Sequence, residues 1–160
     1  MKKITLLLIG FIFTITAVNA QLYKTTIGIR GGLYSGVTLK HFVANTSAVE
    51  ILVATRWSGI QATALIEFHD ELGGSENFLW YYGFGGHVGT YESKNTPKGH
   101  PDNINGSYTT LGIDGIIGIE YSFSEVPINI SLDYKPAINI LGSQYFASDA
   151  AAFSIRYMFK

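Results

Sequence analysis

The chain has no cysteine. A disulfide, a zinc–thiolate site, a cysteine nucleophile and a lipid anchor through a cysteine after an export signal are therefore all excluded. Charge is also scarce. Only 14% of residues are Asp, Glu, Lys or Arg, the formal net charge is −1, and no basic run occurs. That argues against a nucleic-acid partner and leaves little charge to cover a water-exposed surface. Beyond residue 20 there is no apolar run long enough to cross a bilayer as a helix, so insertion into a membrane would require a barrel. What the chain has in quantity is glycine, 18 residues, and aromatics, 14% of the total. Together these suit strands and tight turns.

The N-terminus reads as an export signal. Lys2 and Lys3 precede an apolar run, Ile4–Val18, too short to span as a helix, and Val18-Asn19-Ala20 offers a small-residue cleavage site before Gln21. Residues 1–20 are expected to be the signal peptide and residues 21–160 one barrel domain.

The stretch Thr109–Phe123 sets the pattern for the rest. Leu111, Ile113, Ile117, Ile119, Tyr121 and Phe123 fall on one face, while Thr110, Gly112, Asp114, Gly118, Glu120 and Ser122 fall on the other. A period of two means a strand. Small residues and sparse carboxylates opposite an apolar face suit a crowded interior better than a solvated surface. Seven further alternating runs occur, near 25–33, 37–43, 48–57, 60–69, 78–91, 128–138 and 150–159. Short connections predict the register: a Ser58-Gly59 turn sets Trp57 opposite Ile60, Tyr34-Ser35-Gly36 sets Leu33 opposite Val37, and Ser124–Pro127 sets Phe123 opposite Ile128. Longer connections are expected at Asp70–Asn77, Glu92–Ser107 and Asn139–Asp149.

Sorting strand charges by face puts Arg30, Lys40, Glu50, Arg56, Glu67, Asp114, Glu120, Asp133, Lys135 and Arg156 on the side away from the apolar residues. Five are positive and five negative, so a closed interior would neutralise itself. The other face carries Ile27, Ile29, Leu39, Ile51, Val53, Ile66, Ile117, Leu132, Ile155 and others of that kind, with no charge, as hydrocarbon demands. With strands alternating from a periplasmic N-terminus, Phe68, Phe78, Trp80, Tyr82, Tyr121, Phe123, Tyr157 and Phe159 gather at the periplasmic end as an interfacial girdle.

These features resemble the small eight-stranded bacterial outer-membrane barrels, such as OmpX, the OmpA transmembrane domain and the opacity-type proteins. The final strand Phe153–Phe159, alternating Phe153, Ile155, Tyr157 and Phe159, carries the resemblance most clearly. In that group the C-terminal aromatic strand is read by the barrel-insertion machinery. Two departures from the pattern are Lys160, which follows the last aromatic, and Pro136, expected at the outer rim or a bulge. The resemblance implies an all-β, eight-stranded antiparallel up-and-down transmembrane barrel with a polar, charge-balanced lumen, in the outer membrane of a Gram-negative bacterium. Some small barrels of this kind process lipid A with a His, a Ser and a carboxylate. Here the lipid-facing His41 has no evident Ser partner, and His69, His87 and His100 have no metal-ligand spacing. The expectation is a non-enzymatic protein without catalytic, metal or cofactor residues. Its partners would be outer-membrane lipid and the insertion machinery, with no nucleic acid and no readable external ligand, and its role structural or surface-interacting. The alternatives are a narrow porin-like channel for ions or small solutes and a secreted soluble barrel binding an apolar ligand.

Overall fold

The computed structural model describes residues 24–56, 59–92, 107–141 and 146–159. The predicted signal peptide, the loop within Glu92–Ser107, Trp57, His100 and Lys160 lie outside the described residues. Eight strands follow in order: β1 (Thr25–Gly31), β2 (Ser35–Ala44), β3 (Ser47–Arg56), β4 (Gly59–Leu72), β5 (Ser75–Glu92), β6 (Ser107–Ser122), β7 (Ile128–Leu141) and β8 (Phe146–Phe159). Each pairs antiparallel with its sequence neighbours, and β1 pairs with β8 from Thr25↔Phe159 to Gly31↔Phe153, closing the sheet. Closure satisfies every sheet edge, the requirement for a sheet surrounded by lipid.

The expected register holds at one turn and moves at two. Phe123 donates its N–H to the Ile128 carbonyl at 3.0 Å, as read from the sequence. Val37, however, pairs with Ile29 rather than Leu33, because β1 ends at Gly31 and the link is 32–34. Ile60 pairs with Thr55 rather than Trp57, since Arg56 already pairs with Gly59. Both displacements are by an even number of residues, so no side chain changes face. Two expected loops are also shorter. β4 and β5 run to a turn at Gly73-Gly74, with φ of 72° and 71°, and β7 and β8 leave only residues 142–145 between them. Two successive positive φ values are the conformation that matches strand twist in a two-residue hairpin, and glycine reaches it without a Cβ clash. The acidic and polar residues flanking these glycines had masked the strand pattern.

Pro136 sits within β7, opposite Ser148. The β6–β7 ladder breaks between Asp114↔Ala137 and Ile117↔Tyr134, and the β7–β8 register shifts between Asp133 and Lys135. A residue without an N–H interrupts the ladder, and the shift beside it absorbs the mismatch.

Strand length varies around the wall, from 7 residues in β1 to 18 in β5. The end that holds the chain's first and last described strand residues also carries the short connections 45–46, 73–74 and 123–127.

Candidate functional site

Alternation divides the barrel into an apolar wall and a charged interior. Ile29 is 64% exposed, Phe84 60% and Ile117 53%, whereas Arg156 is 1% exposed and Lys40, Glu50 and Glu67 are 0%. A soluble protein has the reverse arrangement. A barrel with an apolar ligand inside would need the aliphatic face turned inward, so the geometry contradicts that alternative. Among the described side chains, outward-pointing carboxylates occur at Asp70 and Glu76, beside the Gly73-Gly74 turn.

Of the ten charges sorted inward by parity, nine are buried inside the barrel: Arg30, Lys40, Glu50, Glu67, Asp114, Glu120, Asp133, Lys135 and Arg156. The Arg56 side chain lies outside the described residues. Three groups of contacts collect them. Arg30 of β1 forks onto both Asp133 oxygens on β7, at 2.7 and 2.5 Å, and the Tyr81 hydroxyl donates to the same carboxylate at 3.2 Å. Farther from the termini, Asp114 takes Lys135 Nζ on one oxygen and His87 Nδ1 on the other, both at 2.7 Å, while His87 Nε2 lies 2.9 Å from Asn139 Oδ1.

The third group is the most deeply buried. Lys40 Nζ stands 2.8 Å from Glu67 Oε2, 3.1 Å from Glu120 Oε2 and 4.1 Å above the centre of the Tyr81 ring. Arg156 donates to Glu50 at 2.6 Å and to Ser131 at 2.7 Å, and reaches Asn129 at 3.4 Å. The Thr38 hydroxyl also donates to Glu50. His69 Nε2 lies 3.6 Å from Glu67 and 3.7 Å from Glu120. Its ring stacks on Tyr81 at 5.1 Å and meets Phe42 at 4.7 Å. Below this group Phe42, Ala48 and Met158 form an apolar plug toward the termini. Each charged pair is fully desolvated, so its strength comes from multiple hydrogen bonds rather than from Coulomb attraction alone.

Small inward residues leave little free space. A Cβ on Gly118 would come within 2.7 Å of the Tyr81 ring and 2.6 Å of Asp133 Cβ, and one on Gly112 within 2.5 Å of the His87 ring. Those glycines are the room into which the two rings fit. An eight-stranded barrel is just wide enough for its side chains to fill, and around these two rings it is filled.

Tyr81 and Ser131 read as inward from the sequence without their partners, and Thr38, Asn129 and Asn139 were not singled out. All sit at inward parity, so alternation places them, although Asn139 fell in the expected loop Asn139–Asp149; what alternation lacks is the identity of the strand across the lumen. His41 is half-buried on the wall, and its Nδ1 lies 2.8 Å from a hydroxyl, Thr25 Oγ1, rather than a carboxylate. His87 has a carboxylate but an amide where a nucleophile would stand. Among the described residues no set of three or more His, Cys, Asp or Glu is placed to hold a metal ion.

The eight aromatics all lie on the wall toward the end of the termini. Five occupy adjacent strands β4–β6 and Phe123 follows β6 directly; Phe68 meets Tyr82 at 5.6 Å, Trp80 meets Tyr82 at 5.4 Å and Tyr121 meets Phe123 at 4.9 Å. Tyr157 and Phe159 meet at 5.0 Å on β8. β1–β3 contribute none, so the arrangement is an arc rather than a complete ring.

No protein-family model matches this chain, and no curated protein matches it. Among solved structures, the crystal structure of the N-terminal β-barrel domain of Pseudomonas aeruginosa OprF is similar, with a TM-score of 0.67 over 88% of this chain and 100% of that one, at 13% identity. At such identity the likeness is one of fold, and the fold of this chain is a closed, eight-stranded antiparallel β-barrel like that domain.

Proposed function

We propose that the chain is an integral outer-membrane barrel of a Gram-negative bacterium, exported by residues 1–20, with a structural or surface-interacting role and no catalytic one. The observation that carries this reading is the inversion of polarity: an aliphatic wall surrounding a buried, ion-paired interior. Hydrocarbon tolerates such a wall and penalises charge on it by about 2–4 kcal/mol per Lys or Arg at the midplane. The fold likeness to the OprF barrel domain supports it. In this reading lipid covers Ile29, Ile117 and their neighbours, the aromatic arc sits at the periplasmic interface, and the Phe153–Phe159 strand engages the insertion machinery. The nine buried charges serve as the packing of a closed barrel.

Electrophoresis of the outer-membrane fraction, unheated against boiled, tests this. Closed membrane barrels unfold slowly and resist detergent until heated. Two positions of migration are expected. A single unshifted band confined to the soluble periplasmic or culture fraction would overturn the reading.

A further inference from the structure

Among the described residues, the deepest group of lumen side chains holds one permanent cation fewer than carboxyls. Three carboxyls, Glu50 on β3, Glu67 on β4 and Glu120 on β6, share the space with two permanent cations, Lys40 on β2 and Arg156 on β8. Tyr81 on β5 and His69 on β4 complete the surroundings. The neighbouring cations are engaged elsewhere: Arg30 with Asp133, and Lys135 with Asp114. A net charge held out of water is strongly unfavourable.

The hydrogen-bond pattern shows where the deficit falls. Glu50 Oε1 accepts from Arg156 and Thr38, and Glu120 accepts from Lys40. Glu67 Oε2 is ion-paired with Lys40 Nζ at 2.8 Å, but its Oε1 is buried without a donor. Glu50 Oε2 is in the same condition. Glu50 and Glu67 are diagonal neighbours on the inward face of the paired strands β3 and β4, since Glu67 stands opposite Ala48, two residues from Glu50. Neighbouring buried carboxylates, each with an oxygen lacking a donor, repel unless a hydrogen lies between them.

We propose that the central lumen is a proton-binding site, in which one proton resides on Glu67, is donated to Glu50 and brings the buried group to neutrality. The proton comes from solvent as the barrel closes, and no other bond changes. The inference concerns the interior alone and holds wherever the barrel resides. Glu67 is then a neutral donor, while Glu50 and Glu120 are charged acceptors of Arg156 and Lys40.

Infrared difference spectroscopy of the full chain, folded in detergent micelles at neutral pH, reads this directly. The wild type is expected to show the carbonyl stretch of a protonated carboxylic acid, moving on transfer to D2O. The band should be lost in Glu67→Gln, whose amide supplies the missing donor, and kept in Asp114→Asn and Asp133→Asn. A wild-type spectrum without the band, or a band that survives Glu67→Gln, overturns the proposal. Thermal unfolding gives a second test. Glu67→Gln should unfold at the wild-type temperature, whereas Glu120→Gln, which removes a charged partner of Lys40, should unfold lower. An equal loss in both variants counts against a neutral Glu67.

Discussion

Arg30 and Asp133 stand 103 positions apart in the chain, and their side chains form a two-pronged ion pair buried in the lumen. The pair links β1 to β7 across the intervening β8, beside the seam where the sheet closes. Removing one partner strands the other, fully desolvated, with an expected loss of about 3–5 kcal/mol for Arg30→Ala or Asp133→Ala. Replacing both, as Arg30→Met with Asp133→Leu, removes both charges and should cost far less than the two single changes added together. Chemical unfolding of the refolded barrel in micelles, read by tryptophan fluorescence, measures the coupling.

Arg156 reaches Glu50, Ser131 and Asn129 with its guanidinium fork. Lysine keeps the charge but offers a single point of contact, so it cannot serve strands β3 and β7 together. Arg156→Lys is expected to destabilise by about 1.5–3 kcal/mol, the worth of a hydrogen bond to a charged group. The same unfolding assay checks it, and an unchanged midpoint would show that charge alone suffices.

Ile117 lies in the middle of β6 on the outward wall, 53% exposed. Ile117→Arg should cost about 2–4 kcal/mol when folding is measured in phospholipid vesicles. In short-chain detergent, where water reaches the wall more easily, the penalty should shrink. Equal stability of the variant in vesicles would mean that this face does not meet hydrocarbon.

Gly73 and Gly74 adopt φ of 72° and 71° at the tip of the β4–β5 hairpin. Asparagine accepts that conformation and a β-branched residue does not. Gly73→Val is expected to lower stability by about 1–2 kcal/mol and Gly73→Asn to leave it nearly unchanged. Refolding yield, read as the fraction showing the unheated electrophoretic form, separates the two.

A substitution beneath the charged groups probes packing rather than charge. A Cβ at position 118 meets the Tyr81 ring at 2.7 Å and Asp133 Cβ at 2.6 Å. Gly118→Ala should therefore displace the ring that lies under Lys40, with a loss of about 1–3 kcal/mol typical of overpacking. Near-ultraviolet circular dichroism should report a change in the aromatic environment alongside the lower midpoint.

The sequence by itself determined the strand count, the two faces and the sign of each. Side chains alternate with a period of two, and that period survives any even error in register: Ile60 pairs with Thr55 instead of Trp57, yet both candidates have the same parity in the sequence. It also pointed to Pro136 as a place where pairing would fail, because a missing N–H is a property of the residue itself. Strand ends were less legible. Asp70, Glu71 and Glu76 read as a loop because water-seeking side chains at a rim look the same in a strand as in a turn, and only the Gly73-Gly74 hairpin showed that they continue β4 and β5.

Only the tertiary structure decided which charge meets which. Parity sends Lys40, Glu67 and Glu120 inward, but nothing in their spacing says that Lys40 stands between two carboxyls, 2.8 Å from one and 3.1 Å from the other. That depends on barrel closure and on the stagger between strands, which bring β2, β4 and β6 to one level of the lumen. Closure itself rests on the pairing of β1 with β8, the most distant strands in the chain. Face is a local property of an extended backbone, whereas partnership across a lumen is a property of the whole ring.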